Sequence, residues 1–530
     1  MRLFLLYISF LPFISTKLTF RSIRTFLLNG RTYTEALEQP WFRNRHEPHV
    51  AIPNDVVNET NFGKHLLPDD DVFVEHDWTD EEKIYLPCRS LTCVCPFYKG
   101  KKVGKKCVLP NGKILQKAMR KEIRQLSDKE RNQIHNAFLQ MKADGVYDRI
   151  GFVHKYSGVH EGPGFFTWHR EFLKRAELLL KRYLPQGSNL GLPYWDSTLE
   201  AYLPHPEESS FFSEHFVGET DENNFVSTGP YKDWLIMEGT RRVQRYVNQK
   251  DSGEVLNDAR VDFVLELKNI SKVLAPVIAL ETCPLWIQDD RLFEYSHDYV
   301  HDFINGDMKE SYSSSSEIIF YFHHTMVDNI WELWRQKNQD RHQRETEYPP
   351  DLDDCWPNKH FVGYKMKELD PYTNQDALSN EYTDAMYEYT HRPACFTKNE
   401  ECGSKFLFCY TGDAYPKCMA KLRTGGKCYG YEHFDVCHDG ICVEGTCQPR
   451  IQRDALPPFP PSFGYLFAPE PMISRLLLES AEEHIAYMEE ARKRCRGATD
   501  GAVERMMSDW SNVQRNYAVL EKYRSRELKI

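Results

Sequence analysis

Long apolar runs are missing from this chain. Beyond the amino terminus no stretch reaches the ~18 to 20 residues that a bilayer-spanning helix needs, so no transmembrane segment is expected. Positive charge is also short. Lys plus Arg number 67 against 78 Asp plus Glu, a net charge of −11, which argues against nucleic acid or an anionic membrane as the main partner. Internal repeats are absent, which excludes a solenoid or repeat array. What remains is a chain of 530 residues, 13% of them aromatic, too long for one typical core and rich enough to build a sizeable interior.

The amino terminus reads as a secretory signal over residues 1–16: Arg2, an apolar run from Leu3 to Ile14, then Ser15 and Thr16. A secreted, extracellular protein is therefore expected, and the cysteines agree. Four lie at Cys88, Cys93, Cys95 and Cys107, and eight crowd between Cys395 and Cys447, while Cys283, Cys355 and Cys495 stand apart. Dense clusters in an exported chain form disulfide frameworks. The competing zinc reading is weakened by spacings that do not match common zinc motifs. With 15 cysteines the total is odd, so at least one is free, intermolecular or otherwise modified. Asn58-Glu59-Thr60 and Asn269-Ile270-Ser271 are glycosylation sequons.

Along the chain, residues 17–110 form a polar extension with the first cysteine cluster. Helical patterning then dominates residues 111–392. Ser127 and Glu130 make a capping box ahead of Ile134, Phe138 and Met141, and Gly145 supplies the stop. Further helices are expected over Trp168–Leu184, from about Asp289 to Ile304 and from about Ser316 to Lys337, with one more around Trp234–Val247. Residues 393–449 are a loop-rich Cys module. Residues 450–530 begin with a Pro-rich connector and continue, beyond Met472, as two amphipathic helices separated by Gly497.

The chemistry lies in three groups among the 20 histidines. His297 and His301 are spaced i, i+4, so a helix projects both imidazoles from one face. His323 and His324 sit in the apolar run Ile319 to Trp334, where an imidazole is costly unless paired or metal-bound. His154, His160 and His169 form the third group; Gly162, Pro163 and Gly164 break the chain between the last two, so a loop histidine can fold back onto the helix carrying His169. All-nitrogen ligation without thiolate suits copper, zinc or iron. Six neutral imidazoles around two metals favour copper.

These motifs resemble the tyrosinase family. His160 to Leu173 is similar to its copper A signature, Gly191-Leu192-Pro193-Tyr194-Trp195-Asp196 to its Pro-Tyr-Trp-Asp segment, and His297 to His301 with Phe320 to Trp334 to copper B. The order and separations match over roughly residues 120 to 392. Cys395 to Cys447 resembles the appendage of secreted invertebrate tyrosinases. The resemblance implies a mainly α fold, a helical bundle holding a dicopper site, flanked by small disulfide-rich modules. It implies two copper ions, one on His154, His160 and His169, the other on His297, His301 and His324, with His323 beside the ligands. Dioxygen and small phenols are the implied reactants, and o-quinones the products. Phe320 matches an aromatic near the substrate entrance, and Asp328 is placed to orient a ligand or cap a polar contact.

Three departures stand out. Asp298 follows His297 where the family often has Asn, so hydroxylation of monophenols is expected to be weaker than catechol oxidation. Gly158 excludes the cysteine–histidine thioether found two residues before the equivalent of His160 in some relatives. Glu317-Ile318 replaces an Asp-Pro pair ahead of Phe320, with Glu317 expected to favour the helix start electrostatically. Two rival readings remain: a haemocyanin-like dioxygen carrier, and a structural relative whose histidines hold zinc or nothing.

Overall fold

The structure is a computed structural model and describes residues 78–450, apart from 250–252, 280–281, 288, 397–401 and 414. The chain divides into two compact units, residues 1–448 and 449–530. The expected signal segment, the sequon at Asn58, the Pro-rich connector, the tail helices and Cys495 lie outside the described residues.

The described helices are α1 (Asp80–Tyr85), α2 (Asp128–Ala143), α3 (Val146–Ser157), α4 (Gly164–Tyr183), α5 (Asp258–Glu266), α6 (Ile270–Val273), α7 (Phe293–Ile304), α8 (Ile318–Asn338) and α9 (Arg341–Thr346). Strands are short and paired in twos: β1 (Lys101–Val103) with β2 (Lys106–Val108), β3 (Ala118–Arg120) with β4 (Tyr387–Tyr389), β5 (Leu407–Tyr410) with β6 (Lys417–Ala420), and β7 (Gly440–Val443) with β8 (Thr446–Pro449). The fold is thus mainly α, with disulfide-rich parts at both flanks. Among the described residues no helix is long and apolar enough to cross a membrane.

Local chemistry sets the helix bounds. The capping box forms: Ser127 Oγ accepts from Glu130 N, and Glu130 Oε2 accepts from Ser127 N at 2.9 Å. Gly145, at φ 72°, turns the chain from α2 into α3. Helix α4 begins at Gly164, four residues before the expected start, because Pro163 already has helical dihedrals and Phe165 N donates to Gly162 O. Helix α7 begins at Phe293 rather than near Asp289, whose carboxylate instead holds the N–H of Arg291. Glu317 is the N-cap of α8, accepting from Ile319 N while gripping Arg245 at 2.6 and 2.9 Å.

Helix α4 is the centre, packed against α2 and α8, while α2 also meets α3 and α5 lies against α8 and α7. Every residue from Gly164 to Leu180 is buried, five charged ones included. Arg170 binds Asp328 at 2.7 Å and Glu332 at 2.9 Å, Glu171 takes Lys174 and Arg175, and Glu177 takes Arg120 at 2.9 Å. Buried charges survive only with such partners. The segment 234–247 is not the expected helix. It carries isolated bridges, Leu235 to Arg242 and Gln244 to Phe225, and its arginines reach Asp307 and Glu317 far along the chain.

The fourteen cysteines within the described residues pair as Cys88–Cys93, Cys95–Cys107, Cys283–Cys355, Cys395–Cys409, Cys402–Cys418, Cys428–Cys442 and Cys437–Cys447. The disulfide reading of both clusters agrees with this, and two isolated cysteines, Cys283 and Cys355, prove to be partners.

Candidate metal centre

Four helices and one loop bring six histidines to a single place. His154 comes from the last turn of α3, His160 from the following loop, His169 from α4, His297 and His301 from α7, and His324 from α8. They form two groups. Ring centroids of His154, His160 and His169 lie 5.1–5.3 Å apart. Those of His297, His301 and His324 lie 4.4–5.3 Å apart. The groups face each other through His169 and His324, stacked at 4.6 Å.

Hydrogen bonds to carbonyls fix several rings. A carbonyl only accepts, so His169 Nδ1 donates to Phe165 O at 2.8 Å and His301 Nδ1 to Met308 O at 2.6 Å, leaving both Nε2 lone pairs free. His324 Nε2 is 3.1 Å from the Nε2 atoms of both His297 and His301. Two nitrogens at that separation are what one ion with metal–imidazole bonds of ~2.0–2.1 Å accommodates. Both nitrogens of His154, and Nε2 of His169, are buried without a hydrogen-bond partner. Burial, and secondarily the neighbouring imidazoles, holds His154, His160 and His324 well below the ordinary histidine range; His169 is pulled to about 3 mainly by burial. Neutral, converging imidazoles fit a metal pair, and the absence of thiolate and carboxylate from the set fits copper.

His323 also stands near enough to His297 and His301 to offer a nitrogen. Its Nε2 faces the carbonyl of His297 at 3.2 Å and so carries the proton, which leaves Nδ1 as the nitrogen it could offer. The approach of His324 Nε2 to the Nε2 atoms of both His297 and His301 favours His324 as the third member. Phe320 is fully buried, 4.6 Å from His154 and 4.2 Å from His324, a wall of the cluster. Asp298 is about a fifth exposed, its Oδ1 3.3 Å from His297 Nδ1. Asp328 does not reach an imidazole: its carboxylate is taken by Arg170, Arg120, Tyr387 and Tyr389. A Cβ on Gly158 would stand 2.8 Å from His154 O and 3.0 Å from His160 Cε1, so no side chain fits there.

Three neighbours escaped the sequence reading. Phe165 lies between the groups, 4.6 Å from His169 and 4.7 Å from His297. Glu294, one turn before His297, accepts the N–H groups of Glu161 and Gly162 at 2.5 and 2.9 Å and so holds the loop that carries His160. His360 backs the same loop, its Nδ1 accepting from Gly164 N at 3.1 Å, so close that a Cβ on Gly164 would stand 3.1 Å from that nitrogen. The position of Glu294 on the His297 face of α7 was a usable signal; His360 offered none.

Comparison with known proteins finds the common central domain of tyrosinase over residues 113–337. The tyrosinase-like protein tyr-3 of Caenorhabditis elegans is 37% identical over 376 residues, 70% of this chain and 53% of that protein, so the chain spans about half the length of this relative. Hemocyanin 2 of Megathura crenulata is 29% identical over 285 residues, 50% of this chain and 7% of that protein. Among solved structures, a polyphenol oxidase variant from Thermothelomyces thermophila aligns with a TM-score of 0.40 at 18% identity, covering 53% of this chain and 90% of that one.

Proposed function

The chain belongs to the tyrosinase family, and from that premise we propose that it is a secreted dicopper oxidase converting o-diphenols to o-quinones with dioxygen. The two facing groups of converging imidazoles, with both nitrogens of His154 and Nε2 of His169 buried and without a hydrogen-bond partner, carry this reading. His154, His160 and His169 hold one copper, and His297, His301 and His324 the other. When bound, the copper pair supplies the reaction with dioxygen and the electron transfer.

The chain's own residues do the positioning. Carbonyls of Phe165 and Met308 fix the rings of His169 and His301, and Glu294 ties down the His160 loop. Phe165 packs against His169 and His297, and Phe320 against His154 and His324, so both groups of rings are backed by aromatic side chains. Oxidation of a catechol needs docking and electron transfer, whereas hydroxylation of a monophenol such as tyrosine also requires removal of its proton near the copper. With a carboxylate beside His297, monophenol hydroxylation is the weaker activity. Export is supported by seven disulfides, which a reducing cytosol would not maintain, and by the exposed sequon at Asn269.

Similarity to a haemocyanin favours one second reading, a dioxygen carrier. Turnover separates them. The copper-loaded chain is expected to convert many equivalents of catechol to quinone, read optically, and His324→Ala to convert none. Reversible oxygen binding without turnover would establish the carrier instead.

A further inference from the structure

A second group of ligand-type side chains lies where the Cys module meets the core, sharing no residue with the six histidines. His215 follows the turn Ser210–Phe212, and His438 and Asp439 stand in the turn before β7. One donor atom from each lies within 4.8 Å of the others. His438 is only 7% exposed, and neither ring nitrogen makes a hydrogen bond of normal geometry, although Nε2 is 3.3 Å from Asp439 Oδ2 and the backbone of Lys405 also faces the ring. A buried imidazole left in this way costs free energy unless something completes it.

The surroundings are shaped for an occupant. Phe406 forms an apolar floor, its ring 4.3 Å from His438 and 5.5 Å from His215, and the two imidazoles meet edge-on at 5.2 Å. His215 is anchored through its carbonyl, 3.2 Å from His135 Nε2, and His438 N donates to Leu422 O. The nearby cations are committed elsewhere: Arg131 and Lys405 to Asp128, and Lys421 to Asp435. Asp439 is open to solvent on the remaining side, which leaves room for water to complete a coordination shell.

We propose that His215, His438 and Asp439 form a mononuclear site for a divalent late first-row cation, zinc or copper, that fastens the Cys module to the core. Two imidazoles and one carboxylate with open positions suit these ions, whereas magnesium and calcium prefer all-oxygen shells. One ligand comes from the core and two from the module, so binding the ion ties them together, and metal affinity becomes stability of that junction.

The test uses the full chain, stripped of metal and dialysed against zinc, with zinc counted by mass spectrometry. Wild type is expected to hold one equivalent more than His215→Gln. Asp439→Asn, at an exposed side chain, is expected to weaken zinc binding at least about tenfold, since even outer-shell losses cost ~10–100-fold. Repeating the count in a His169→Ala/His324→Ala background separates this site from the dicopper reading: the extra equivalent persists there. Titration with Cu(II) identifies a copper-preferring site, because a mononuclear ion gives an EPR signal with nitrogen coupling and a coupled pair is silent; His215→Gln loses that signal. Equal zinc counts and equal Cu(II) spectra in wild type, His215→Gln and Asp439→Asn would overturn the proposal.

Discussion

Around α4 the chain buries every residue from Gly164 to Leu180 and stabilises the helix with packing and with charge pairs such as Arg170–Asp328; between Cys395 and Cys447 it buries a small cluster of Leu407, Met419, Leu422 and Val436 and closes four disulfides around it. The difference follows from size. A large helical core removes enough apolar surface from water to hold an array of polar imidazoles at its centre, whereas a stretch of some fifty residues does not, and covalent links must constrain its unfolded state instead. The proposed chemistry therefore sits in the part held by packing, and the part held by sulfur contributes none of the six histidines.

The sharpest way to break the contrast is to empty the core of its ligands without unfolding it. His169→Ala and His324→Ala are each expected to abolish catechol oxidation while the chain is still exported and melts cooperatively. Wild-type rates in either variant would remove the ligand assignment. Next comes the charge network. Arg170→Ala takes one arginine from Asp328, which keeps Arg120, and one from Glu332, which keeps Arg335, and should cost up to about 3–5 kcal/mol in denaturant unfolding. An unchanged midpoint would show that the core does not depend on the pair.

Removing Cys402–Cys418 by a double serine substitution should cost about 2–5 kcal/mol, confined to the module. Proteolysis would read this as nicking after residue 395 with the core intact; nicking within 120–340 would contradict it. Acid sharpens the comparison from the other side. Burial alone would raise the pKa of Asp328, but Arg170 and Arg120 outweigh it and hold the carboxyl below its ordinary range. A depressed carboxylate contributes stability that is fully present above its unfolded value of ~3.9 and is lost as pH falls through the folded value. Below about pH 4 the core should therefore loosen before the module does, visible as hydrogen exchange in α4 ahead of β5 and β6. The smallest effects concern neighbours of the ligands. His323→Ala should lower the rate only partly, and Asp298→Asn should raise the ratio of monophenol to diphenol rates; an unchanged ratio would show that Asp298 is not the control point.

How much was legible in the sequence depended on whether the signal was local. The capping box at Ser127, the i, i+4 pair His297 and His301 and the two cysteine clusters are short-range patterns, and each has its counterpart in the structure. Long-range pairings were not legible. Cys283 meets Cys355 across 72 residues, and nothing near either announces it. The segment 234–247 has helical spacing, but Gly239 sits at φ 70° and Arg245 is drawn to Glu317, so tertiary ion pairs override the local preference. Asp328, one turn from His324, was expected to orient a ligand or cap a polar contact; its carboxylate is taken by Arg170 and Arg120 rather than by an imidazole.

Copper counted per chain is the most direct measurement. Two coppers are expected in purified wild-type protein, falling by one in His169→Ala and by one in His324→Ala, in step with the loss of catechol oxidation. Wild-type protein that holds zinc in these histidines, or variants that keep both coppers, would contradict the dicopper assignment.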